Sequence, residues 1–116
     1  MNDGEREAII RASIAACNVK GIKLAHSTWG ICWNKGKGRW LPKGNCCALS
    51  CVILEQQDNQ KLLNWRAWTI EKILNVDGQW IQNFQRGFDG YEKSAYDNGS
   101  FAYELGSLMR EEFLPK

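Results

Sequence analysis

The chain has 116 residues, about a quarter of them charged, with a net charge of +2 and 44% hydrophobic residues. That is the size and composition of one globular domain, neither disordered nor large enough for two cores. A balance this near zero does not by itself indicate nucleic acid or membrane, so only the distribution of charge is informative.

That distribution is uneven. From Ala8 to Leu54 there are seven lysines and arginines and no acid, so the remainder carries −5. The same stretch holds all five cysteines, the one histidine (His26) and three tryptophans. The cysteine count is odd and the N-terminus, with Asp3, Glu5 and Glu7, lacks the shape of a signal peptide. Reduced thiols in a cytoplasmic protein are therefore expected. The longest apolar run, Cys46 to Leu54, is about half of what a membrane helix needs.

A first helix is expected from about residue 4 to 20. Asp3 would cap it, Ile9, Ile10, Ser13, Ile14, Ala16 and Cys17 recur at helical spacing, and Gly21 would stop it. Trp29, Ile31 and Trp33 then alternate with Gly30 and Cys32, as in a strand. The turn-forming run Asn34 to Gly38 leads into Arg39-Trp40-Leu41 before Pro42, which together predict a short hairpin. Asn45 would cap a helix from Cys46 to about Gln56, apolar almost all round and so destined for the centre of the core. A polar linker, Gln56 to Gln60, follows.

Helical period resumes at Lys61, with Leu62, Leu63, Ala67, Ile70, Ile73 and Leu74 on the buried side. Asp77 would cap a further helix from Gln79 to about Arg86, stopped by Gly87. Asp97 would cap a final helix with the stripe Phe101, Leu105, Leu108, Met109 and Phe113. In that helix Ala102 and Gly106 form a small-residue notch, for an internal neighbour or for a homodimer. The expected fold of residues 1–116 is one mainly α (α+β) domain, with about five helices around a central apolar helix and one hairpin after the first helix.

Three constellations bear on function. In the hairpin, Lys35, Lys37, Arg39 and Lys43 interleave with Trp33, Trp40 and two glycines. Cations neutralise phosphates, indoles offer stacking faces, and glycine lets a backbone come close. On the competing reading the tryptophans cover the core and the lysines are a solvated turn. Between Thr69 and Phe88, the spacing of Ile70, Leu74, Val76, Ile81 and Phe84 resembles a helix-turn-helix unit. Gln79, Gln82, Asn83 and Arg86 would then face outward with the planar donors and acceptors that read base edges. Glu71 stands where the unit wants a small residue, Asn75 where it wants glycine, and Asp77, Asp89 and Glu92 would repel phosphates.

The thiols form the third. Cys47 and Cys51, four apart on a helix, could join Cys32 and His26 in a tetrahedral zinc set, although the C-x2-C spacing of zinc knuckles is absent. Simple packing of buried cysteine is the alternative. A Cys–His pair of Cys32 and His26, with Asn34 or Asn45 to orient the ring, is the alternative of a thiol-dependent enzyme, but nothing in the spacing demands it. No phosphate-loop or nucleophile-elbow motif is present, and no catalytic residue is assigned. The expectation is a non-enzymatic, intracellular binding or adaptor domain without cofactor or membrane association. Its hairpin would contact an anionic partner, either nucleic acid or an acidic protein face; base reading by residues 77–86 and zinc stabilisation are the alternatives.

Overall fold

The computed structural model describes residues 1–61, 63–94 and 100–114. Among them the chain forms five α-helices and one two-stranded antiparallel hairpin, which follows the first helix. Helix α1 runs Asp3–Val19 and is capped by Asn2, one residue earlier than expected; its side chain accepts the Glu5 N–H. Ile10, Ile14 and Cys17 face the core, Ser13 returns its hydroxyl to the Ile9 carbonyl, and Gly21 leaves the helix with φ +81°.

Strands β1 (Ile31–Asn34) and β2 (Arg39–Pro42) pair with Trp33 opposite Trp40. The tip is closed by Asn34, whose carbonyl accepts from Gly38 and whose side chain accepts from Lys37. Helix α2 spans Ala48–Gln56 and its first seven residues are all buried, which makes it the central helix. It starts two residues later than the sequence suggests, and Asn45 does not cap it. Cys46 is held in extended pairing with the segment Lys23–Ala25: its N–H donates to Lys23 and its carbonyl accepts from Ala25, both at 2.9 Å. A residue committed to that ladder cannot also begin a helix.

The expected polar linker is instead a 3₁₀ turn, Gln57–Asn59, with Gln57 buried. Helix α3, Arg66–Leu74, begins five residues after Lys61, and the Thr69 hydroxyl reaches back to the carbonyls of Leu63 and Trp65 in the segment that precedes it. Leu63 is exposed rather than buried, while Ile70, Ile73 and Leu74 are buried as expected; Leu62 lies outside the described residues. Asn75 ends α3 in the left-handed conformation, as Asn can. Asp77 caps α4, Gly78–Phe88, by accepting from Trp80.

Gly87 does not stop α4; it lies within it, because α5 (Phe101–Phe113) crosses there. A Cβ on Gly87 would sit 2.1 Å from the Tyr103 carbonyl oxygen, and one on Gly106 would sit 2.1 Å from that of Phe84. The Ala102/Gly106 notch is thus filled internally, by α4. The cap of α5 is Ser100, whose hydroxyl accepts from Tyr103; Asp97, the expected cap, is outside the described residues. Leu105 and Met109 of the α5 stripe are buried, whereas Phe101 and Leu108 are exposed.

Two arginines satisfy helix C-termini across the fold, where carbonyls lack partners. Arg6 donates to Leu74 and Asn75 at the end of α3, and Arg110 to Phe88 at the end of α4. One hydrophobic cluster draws residues from every helix and both strands. Among the described residues no helix is long and apolar enough to cross a membrane. Gly106→Ala is expected to lower stability by at least ~2 kcal/mol in urea unfolding, since the new methyl meets fixed backbone. Gly44→Ala, with open space around it, should leave the midpoint unchanged.

Candidate functional site

The hairpin presents its cations unequally. Lys35 and Lys37 stand exposed at the tip and Lys43 is exposed just past β2; among the described residues none of the three forms an ion pair. Arg39 pairs with Asp58 of the 3₁₀ turn at 3.3 Å. Trp33 is half-buried, and its ring meets Trp40 edge-on with centroids 5.6 Å apart.

Trp40 itself is only 2% exposed, so the expectation that it offers a stacking face is corrected. Its ring belongs to the cluster that covers α2, and its peptide is gripped on both sides by Gln57. The Trp40 N–H donates to the Gln57 side-chain oxygen at 2.8 Å, and the Gln57 amide donates back to the Trp40 carbonyl at 3.0 Å. The hairpin is thereby tied to the core at Trp40.

At the base of the hairpin lies a cleft of about 530 Å³, walled by Thr28, Trp29, Cys32, Lys43, Asn45 and Arg66, with glycine backbone between them. No acidic side chain lines it. The Arg66 guanidinium, from the first turn of α3, lies 5.8 Å from the centre of the Trp29 ring, and this cation–π contact fixes both groups. The wall is built by a tightly held loop. Gly30 (φ +68°) lets the chain run against the strand-like segment at Asn45, where a Cβ would approach the carbonyl oxygen to 1.9 Å. Ser27, a non-glycine residue at φ +58°, is held there because its N–H donates to Asp89 at 2.8 Å. Left-handed backbone of this kind persists only where its surroundings determine it.

Trp29 and Arg66 were not singled out as functional by the sequence. They are far apart in the chain and share no local pattern, so only the fold brings them to Lys43.

Gln79, Gln82, Asn83 and Arg86 do come together, with Ser94, around a shallow groove of about 380 Å³. Their outward presentation holds for Gln79 and Gln82 but not for Asn83, which is buried between α4 and α5. Asn83 accepts from Gln79 and donates to the Ser100 hydroxyl. Arg86 donates to the Glu92 carbonyl and lies over the Tyr91 ring. Glu71 fits between the two helices of the turn because it faces Gly78.

The four residues of the zinc alternative, His26, Cys32, Cys47 and Cys51, are not gathered. Cys47 contacts the Ser50 hydroxyl, Cys51 is buried in α2, Cys32 is exposed on β1, and His26 bonds to Ser27 in its loop. Among the described residues no three His, Cys, Asp or Glu side chains stand within reach of one metal ion. All five thiols are free. The Cys51 thiol is pushed up by its interaction with Cys17, in which it stays the protonated partner, and by burial, while the same interaction holds Cys17 down. Burial pushes Cys46 up to about 12 and raises Cys47 as well.

The chain matches no protein-family model, no curated protein in sequence and no solved structure.

Access predicts the thiol chemistry, because Cys32 is exposed and the other four cysteines are buried. In native protein at neutral pH, a disulfide reagent such as dithionitrobenzoate should titrate one thiol quickly and the other four only on unfolding. Cys32→Ser should abolish the fast phase; a fast phase that survives would place a reactive thiol elsewhere.

Proposed function

We propose that this protein is a non-catalytic binding domain that takes the phosphate backbone of a nucleic acid on its hairpin and on the cleft at the hairpin's base. One observation carries the reading: the cleft wall holds Lys43 and Arg66 and no acid, and the hairpin beside it adds the unpaired Lys35 and Lys37. Four-residue strands set the tip lysines roughly 13 Å from the base, the span of several nucleotides. Four cations along such a track release counterions when phosphates replace them, which is a favourable and salt-sensitive term. Thr28 and Asn45 add neutral donors where a phosphate oxygen would lie. Free thiols throughout are consistent with the reducing cytoplasm as its place of work.

A second reading, base reading in duplex DNA by α4, draws on the groove that collects Gln79, Gln82 and Arg86. It differs from the first in one outcome: Gln82→Ala would then relax sequence preference while leaving non-specific affinity intact.

The test is an anisotropy titration with labelled DNA and RNA oligonucleotides at increasing salt. Four phosphate contacts predict a slope of log K against log salt of about −3 on a single strand. Lys35→Glu with Lys37→Glu should weaken binding and flatten the slope without moving the melting temperature, because exposed turn charges contribute little to folding. Absence of binding at low salt would sink the proposal. Salt-sensitive binding to polyglutamate alone would assign the surface to an acidic protein face instead.

A further inference from the structure

Two indoles stand out of the surface where α3 begins. Trp65 is 60% exposed and Trp68 57%, although tryptophan is among the side chains that gain most from burial. Single exposed apolar residues are ordinary, but these two are three apart at the start of α3, Trp65 as its N-cap and Trp68 in its first turn, with Lys72 one turn beyond Trp68. The buried side of α3 already supplies Thr69, Ile70, Ile73 and Leu74 to the core. Neither indole is therefore needed for packing.

Their setting is cationic. Arg66 follows Trp65 directly and reaches into the basic cleft beside Lys43. Lys61 and Lys72 flank the pair, both exposed and, among the described residues, neither in an ion pair. The acid in α3, Glu71, is half-buried and faces Gly78 rather than the tryptophans. An apolar protein surface docking here would have to desolvate Arg66 and Lys72 without supplying opposite charge, which costs more than the indoles return. The surface instead fits a partner that carries flat π faces and a negative charge at every repeat.

We infer that Trp65 and Trp68 are a base-stacking platform for single-stranded nucleic acid, whose phosphates pass over Arg66 and Lys43 into the hairpin cleft. The inference rests on the phosphate-binding reading above and adds the strand class. In a duplex the bases are stacked on one another and closed to an indole, whereas unpaired bases stack on aromatic side chains with little regard to sequence. The cations hold the backbone and the indoles select the single strand.

The experiment compares one labelled oligonucleotide, single-stranded and as its duplex, on the wild-type chain, on Trp65→Ala/Trp68→Ala, on Trp65→Phe/Trp68→Phe and on Lys43→Glu/Arg66→Glu. Single strand should bind tighter than duplex at equal salt. The alanine pair should lose about tenfold in affinity per tryptophan, with the salt slope and melting temperature unchanged, and the phenylalanine pair should recover most of that loss. Lys43→Glu/Arg66→Glu should weaken both forms of nucleic acid. If single strand and duplex bind equally and the alanine pair changes nothing, the platform is overturned while the phosphate cleft stands. If no oligonucleotide binds, both fall. Tryptophan fluorescence that shifts with phosphatidylserine vesicles but not with oligonucleotides would make this face a membrane contact and overturn the platform.

Discussion

A nine-residue helix whose first seven residues are all buried sets the terms for everything around it. Such a helix has no side that can face water, so each side has to be covered by another element. Helix α1 brings Ile10, Ile14 and Cys17, α3 brings Ile70, Ile73 and Leu74, and the hairpin brings Ile31 and Trp40. The hairpin is too short to be stable on its own in water. Its docking depends on Trp40 and on Gln57, the residue just past α2, which satisfies both peptide groups of Trp40 with one amide. A glutamine buried so fully would be costly without those bonds; with them it selects one position for the hairpin. The same interaction that builds the fold withdraws Trp40 from the surface and leaves the tip lysines projecting.

The charges follow a similar division. Sequence alone shows a basic first half and an acidic second half, but in three dimensions several of the acids are paired with particular cations. Glu112 of α5 holds Arg11 of α1, Glu55 holds Lys20, Glu104 holds Lys93 and Asp58 holds Arg39. These exposed pairs add little stability apiece. What they do is set a cation against each of these acids, while among the described residues Lys35, Lys37 and Lys43 have no acid paired to them. Cations without an acidic partner therefore stand at both ends of the hairpin, Lys35 and Lys37 at the tip and Lys43 at the base, which a net charge of +2 does not reveal.

The elements legible in the sequence are those governed by local periodicity and local turn chemistry. The helical spacing of Ile10, Ile14 and Cys17, the Asn34–Gly38 turn, the apolar run that becomes α2 and the Asp77 cap all appear where they are expected. The errors share a cause, which is a long-range partner overriding a local signal. Cys46 reads as the first turn of a helix but is claimed by Lys23 and Ala25. Gly87 reads as a stop signal but is the spot where α5 touches α4. Asn83 reads as outward but is drawn inward by Ser100. The cleft was hidden for the same reason. Trp29, Lys43 and Arg66 come from a loop, the end of a strand and the start of a helix, and no spacing rule connects them.

The residues that make up the basic track and the exposed indole pair are also those the fold can do without. Cover over α2 is complete without Lys35, Lys37, Lys43, Trp65 or Trp68, and none of them joins the buried cluster. A surface that contributes little to folding is free to be shaped by whatever it meets, whereas Trp40, Gln57, Gly87 and Gly106 are tied to packing. Exposed tryptophan and unpaired lysine are both poorly explained by stability: one leaves apolar area in water, and the other leaves charge without a partner. The stacking platform and phosphate track we propose would account for both together, with the indoles supplying surface and the cations supplying charge on either side of Arg66.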